Sequence, residues 1–210
     1  MYAIAHASTA LAIRRRVPEA PLWPLLVAAQ AVELVWIVLS LAGVEHASVH
    51  EGRLSLDFLP YSHSVTSGLV VAALAYAAAS RLTRNRRVAV ALAVAVFSHI
   101  VLDVLHHQPD ILLFPARLGP RLGTGLLDLP VLDFAIELLY CLCCARLGGG
   151  GTALYVGIAL LNLADLPMML QLPTVMAPVL ERARLLPLFI LAQIVVTSAF
   201  VARFGQRKYA

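Results

Sequence analysis

At 210 residues, with 60% hydrophobic and only 13% charged side chains and a mean hydropathy of +0.84, the chain lies far from the roughly 25% charge of an average soluble domain. That composition excludes a water-soluble globular fold and predicts a single integral-membrane domain over 1–210, an all-α polytopic helical bundle. The net charge of +4 does not imply a nucleic-acid partner, because the basic residues fall in short runs between apolar segments and not in one patch.

Residues 1–13 are apolar but too short as a helix to cross a hydrocarbon core of about 30 Å. They lack the basic start and small-residue cleavage site of a signal peptide. A half-helix is expected there, carrying His6 towards mid-depth from the side of Arg14, Arg15 and Arg16. Six spanning helices are then expected, over 22–44, 64–80, 88–105, 130–146, 152–172 and 185–204.

The first span places Gln30, Glu33 and Trp36 on one face. A carboxylate inside hydrocarbon costs about 2.5–3.5 kcal/mol on insertion scales, so Glu33 should face the bundle interior and have a partner. The connection that follows holds Glu45, His46, His50 and Asp57, and it closes with Pro60-Tyr61-Ser62-His63-Ser64. Here His63 stands at a helix N-terminus that Ser62 or Ser64 can cap, and His63 is the candidate ligand, with His46 and His50 as ordinary loop residues. The second span is uncharged and rich in small residues, which suits close helix packing.

The third span ends in the segment that organises the rest, FSHIVLDVLHHQPDILLFP over 97–115. His99 and Asp103 are four apart and lie one above the other on a helix, a spacing that lets an imidazole and a carboxylate share one divalent cation. His106 and His107 continue that face while the helix lasts. A loop with three prolines and three glycines follows, of the kind that forms lids or substrate walls. Its Arg117 and Arg121 are suited either to phosphate or to lipid headgroups.

The fourth span repeats the spacing of four with Asp133 and Glu137. Its cysteines, Cys141, Cys143 and Cys144, lack the spacing of a thiolate metal site and are read as small packing residues. The run Gly148–Gly151 has no Lys or Ser/Thr of a phosphate loop. The fifth span carries Asn162, Asp165 and Pro167; the sixth carries only Gln193, read as packing.

The connections alternate. Arginines at 14–16, 81–87, 146 and 203–207 share one side, which the positive-inside rule makes cytoplasmic, with both ends of the chain there. With that topology Glu33, His99, Asp103, Asp133, Glu137 and Asp165 fall at one depth, between the middle and the outer surface. No Lys or Arg interrupts a span, so bound cations are the expected compensation. Mixed imidazole and carboxylate ligands without thiolate favour zinc, then manganese or iron, with calcium least favoured. A metal-activated water makes hydrolysis the expected reaction class, and Glu137 or Asp165, if not a ligand, is the candidate base that orients it.

The segments HAST, AAQAVELVW, PYSHS and SHIVLDVLHHQPDILLFP resemble a group of bacterial membrane proteins related to the YdjM-type, inner-membrane, metal-dependent hydrolases. In motif order these are similar to zinc-dependent phospholipase C. The resemblance covers about the first 140 residues. It implies His6, Glu33, His63, His99, Asp103 and Glu137 as metal ligands, with His106 or His107 as a further one; Asp133 stands where that pattern has a histidine. The function expected is a zinc-dependent hydrolase of a lipid-borne phosphoester or ester near the outer leaflet of a bacterial inner membrane. The metal set is His6, Glu33, His63, His99, Asp103, His107, Asp133 and Glu137. The alternatives are a transporter or ion- or proton-conducting protein using the same acids, for which an internal repeat is expected, and a non-catalytic scaffold.

Overall fold

The computed structural model describes residues 1–50, 53–115, 119–170, 172 and 185–205. Eight α-helices occur among them: α1 (Ala3–Arg16), α2 (Leu22–Ala29), α3 (Ala31–Leu41), α4 (Val65–Thr83), α5 (Arg86–His106), α6 (Pro130–Leu147), α7 (Thr152–Met169) and α8 (Leu185–Phe204). Two short antiparallel hairpins, which the all-helical expectation did not include, sit in the connections. One pairs β1 (His46–His50) with β2 (Arg53–Phe58); the other pairs β3 (Ile111–Leu112) with β4 (Arg121–Leu122).

Four helices, α4, α5, α7 and α8, are long and apolar enough to cross a membrane, and the pair α2–α3 makes a fifth if its two halves count as one broken span. The expected straight helix over 22–44 is bent by 52° at Gln30. Nothing in the local sequence forces a break, but the Gln30 amide donates to the Ala3 carbonyl of α1 at 2.7 Å, so the bend is fixed by a neighbour. In α6 the length suffices, but Asp133, Glu137 and Arg146 burden it with three charged residues.

Outward faces are apolar: Val38, Leu74, Leu139 and Leu160 are each 60–65% exposed, while the buried interior holds the His, Asp and Glu side chains. That inside-out distribution is what a bundle surrounded by lipid requires. Packing in lipid relies on close contact and interhelical hydrogen bonds more than on expulsion of water. Accordingly Gly68 of α4 lies so close to Ile100 of α5 that a Cβ would overlap it. The two helices form a tight hairpin, started by Asn85, whose Oδ1 accepts from the Arg87 and Val88 N–H groups.

The half-helix expected at the start of the chain is α1, and in the fold it is the hub. Ile4, Ala5, Ala7, Ser8 and Ala10 are wholly buried, and α1 packs against α2, α5, α6, α7 and α8. Alanine and serine let five neighbours approach, and Thr9 adds a 2.7 Å hydrogen bond to the Tyr140 hydroxyl of α6. Around this axis the molecule has two ends. Arg14–Arg16 close α1 at one, where Arg87 pairs with Glu19 (3.3 Å) and Leu11 meets Gly148 and Gly205, next to Arg146 and Arg203. At the other end lie the C-terminus of α5 and the N-terminus of α6. Met1 belongs to that second end, with its nitrogen 3.1 Å from Asp103 Oδ1.

Candidate metal centre

At this second end a cavity of about 130 Å³ is lined by Met1, Tyr2, His6, Gln30, Glu33, Trp36, Leu59, His63, Asp103, His106, His107, Leu127, Met168, Ile190 and Gln193, with Ala3. No Lys or Arg is among them.

His99 and Asp103, on successive turns of α5, are 0% and 2% exposed. The His99 Nδ1 lies 2.8 Å from the Ala29 carbonyl oxygen. A carbonyl only accepts, so Nδ1 carries the proton and, in the neutral ring, Nε2 keeps its lone pair for the chamber. The Gln30 bend provides this acceptor, since it turns the end of α2 towards α5. Broken helices serve this purpose in membranes where their freed backbone lines a cavity.

Four ligand-type atoms then converge from α3, the α4 entry and α5. His99 Nε2 lies 3.2 Å from Asp103 Oδ2 and 3.5 Å from Glu33 Oε2; His63 Nε2 lies 3.2 Å from Glu33 Oε2 and 3.8 Å from Asp103 Oδ2. Ligand atoms about 2.0–2.1 Å from a tetrahedral zinc are separated by roughly 3.3 Å. His99 Nε2 and Asp103 Oδ2 are buried and have no hydrogen-bond partner among the described residues, although they are 3.2 Å apart. They are near each other without being aligned as donor and acceptor, as two atoms directed at one ion are. Buried groups left so are costly unless something else satisfies them. The donor set and these orphaned atoms fit a divalent cation.

His6 adjoins this set. Its ring stacks on His99 at 3.7 Å and 9°, and its Nε2 is 3.0 Å from the Met1 carbonyl oxygen and 3.4 Å from Asp103 Oδ1. Groups of potential ligands are therefore His6–His99–Asp103 and Glu33–His63–His99, which share His99, and a separate third, His106–Asp133–Glu137. In the third, His106 Nδ1 lies 2.9 Å from Asp133 Oδ1, and the Tyr2 backbone N–H is 3.2 Å from each Glu137 oxygen. The Tyr2 phenol is pushed well above its ordinary range by burial, then by the charges of Glu137, Asp165 and Asp133, so it remains a hydrogen donor.

Of the residues singled out from sequence, His107 does not join a group. It turns out of the helix, with ψ 159°, and its Nδ1 sits 3.2 Å from Asp110; His106 takes the place beside Asp133. Asp165 also stands apart, accepting a 2.7 Å bond from Gln193, so Gln193 is a chamber residue and not simple packing. Arg121 is exposed on β4, away from the cavity, and Arg117 lies outside the described residues. His46 stacks on Phe58 at 4.5 Å, in the first hairpin, where His50 faces Arg53 in register. Cys141 and Cys144 are buried thiols and Cys143 is exposed, none of them in the three groups. Ser64 is the α4 cap, accepting from the Ser67 N–H, which leaves Ser62 free for another bond.

Glu45 is the residue that the sequence reading missed. It is 1% exposed and its carboxylate accepts from the Tyr61 and Ser62 N–H groups at 2.7 and 2.9 Å and from the Ser62 hydroxyl at 2.6 Å. The loop after α5 closes the same end: Thr66 donates to Leu113 O (2.8 Å), and the Thr124 and Gly125 N–H groups bond Val104 and His107 carbonyls.

No family model, curated protein or solved structure matches the chain.

Proposed function

We propose that the chain is a membrane-embedded metal-dependent hydrolase, with zinc as the favoured ion, acting on a lipid-borne phosphoester or ester. The observation that carries this reading is that His63 and His99 each lie 3.2–3.8 Å from both the Glu33 and the Asp103 carboxylates, with two of the atoms buried and unbonded. Imidazole and carboxylate without thiolate suit zinc, and manganese or iron less well. The bound metal supplies Lewis-acid activation of water and of the scissile ester. The chain's own groups hold and orient: Glu137, fixed by the Tyr2 N–H, is the candidate to position a water or accept its proton. Asp165, held by Gln193, is the second candidate for that role.

A lipid substrate is supported by the chamber's apolar side, Trp36, Leu59, Met168 and Ile190, next to its ligand-bearing side. The kinship with YdjM-type hydrolases and the placement of the basic end in the cytoplasm of a bacterial inner membrane belong to the same proposal. Elemental analysis of detergent-purified protein, followed by hydrolysis of phospholipid in mixed micelles with and without chelator, tests it. Stoichiometric zinc and chelator-sensitive release of headgroup or acyl chain are expected. A protein that binds no divalent metal overturns the metal centre. One that binds zinc, yet carries cations across vesicle walls and hydrolyses nothing, overturns the hydrolase in favour of transport.

A further inference from the structure

We propose that Glu45 and Ser62 form a positioning relay that holds His63 in the tautomer and orientation of a metal ligand. This deepens the metal-centre reading above and rests on it.

With Glu45 ionised, the hydrogen bonds of the relay run one way. Glu45 is an acceptor when ionised, so the Ser62 hydroxyl, 2.6 Å from Oε2, donates to it. With its only proton committed, Ser62 Oγ is an acceptor towards His63 Nδ1 at 2.8 Å. The proton of His63 is thereby placed on Nδ1, and Nε2 is left to face Glu33 at 3.2 Å and Asp103 at 3.8 Å. This is the arrangement by which an outer carboxylate fixes a ligating histidine, here with a serine hydroxyl between them. All three side chains are 1–4% exposed, so water does not compete for these bonds.

The backbone builds the relay deliberately. After α3 the chain turns at Gly43, whose φ of +75° a side chain would disfavour. The turn brings Glu45 beneath Tyr61 and Ser62, where Oε1 also takes both their N–H groups. Those two backbone bonds separate a structural role from a ligand-positioning one: Ser62→Ala deletes the hydroxyl and keeps them.

The experiment measures zinc affinity by chelator competition, and the visible spectrum with cobalt in zinc's place, on the full chain in detergent. Ser62→Ala should weaken one metal site by roughly 10–100-fold, the usual cost of losing an outer partner, and shift the cobalt spectrum. Ser62→Thr, which restores the hydroxyl, should recover both. In a His63→Ala background Ser62→Ala should add nothing, since the two act through one ring. An unchanged affinity and cobalt spectrum in folded Ser62→Ala, with metal still held by the unaltered chain, overturns the relay alone. Failure of the unaltered chain to bind zinc or cobalt overturns the metal centre and the relay with it.

Discussion

The ligand groups that share His99 on α5 and the group on α6 differ in how far their members already satisfy one another. Around α5, His99 Nε2 and Asp103 Oδ2 have no hydrogen bond among the described residues although other ligand-type groups lie within 3.5 Å. Around α6, His106 is hydrogen-bonded to Asp133 and Glu137 is held by the Tyr2 backbone, with only Asp133 Oδ2 left over. Proximity alone is therefore a poor sign of a metal position. Proximity combined with orphaned atoms is a better one, and it ranks the α5 group as the tighter site.

The largest expected effect tests that ranking. His99→Ala removes the residue shared by two groups, and should lower zinc affinity by more than the roughly 10–100-fold of an outer-partner loss, with the helical circular dichroism retained. Equal metal content in the variant would reverse the order of the two sites. Chelation comes next: at a free-ion concentration 100 times Kd, bound metal stabilises by about 2.7 kcal/mol, so a chelator should lower the thermal midpoint of the native protein and leave that of His99→Ala nearly unmoved.

Asp133→Ala, which removes the acceptor of His106, sharpens the comparison from the other side. It should cost about 1.5–3 kcal/mol of stability through the charged hydrogen bond to His106, read by denaturation in detergent, with little loss of the α5-group metal. The smallest effect is expected at the bend. Gln30→Ala deletes one bond to Ala3 and should destabilise by about 0.5–1.5 kcal/mol, visible as a modest shift in midpoint; a wholesale loss of metal would show that this bond governs the orientation of His99.

Much of this chamber could be read from spacing. The i, i+4 relation of His99 and Asp103 is a property of any helix, and acids inside hydrocarbon had to turn inwards, so the half-buried Glu33 and the buried Glu137 were findable as inward-facing residues. What escaped was set by contacts between distant segments. Spacing does not tell His106 from His107, because the choice depends on where α5 unwinds. Glu45 looked like one more loop acid, since the turn that buries it depends on a backbone angle at Gly43. The centrality of α1 was hidden because an alanine-rich helix shows no distinct apolar stripe. Gln30 breaks its helix without proline or glycine, through a partner 27 residues away.

The position of α1 also bears on how the protein is assembled. It is made before any of the helices that enclose it, yet Tyr2 meets Glu137 across 135 positions of sequence and Thr9 meets Tyr140 across 131. Contacts that distant close slowly. Made before the helices that enclose it, α1 thus gains its α6 neighbours late, and the pocket has no complete wall until those later helices have been synthesised.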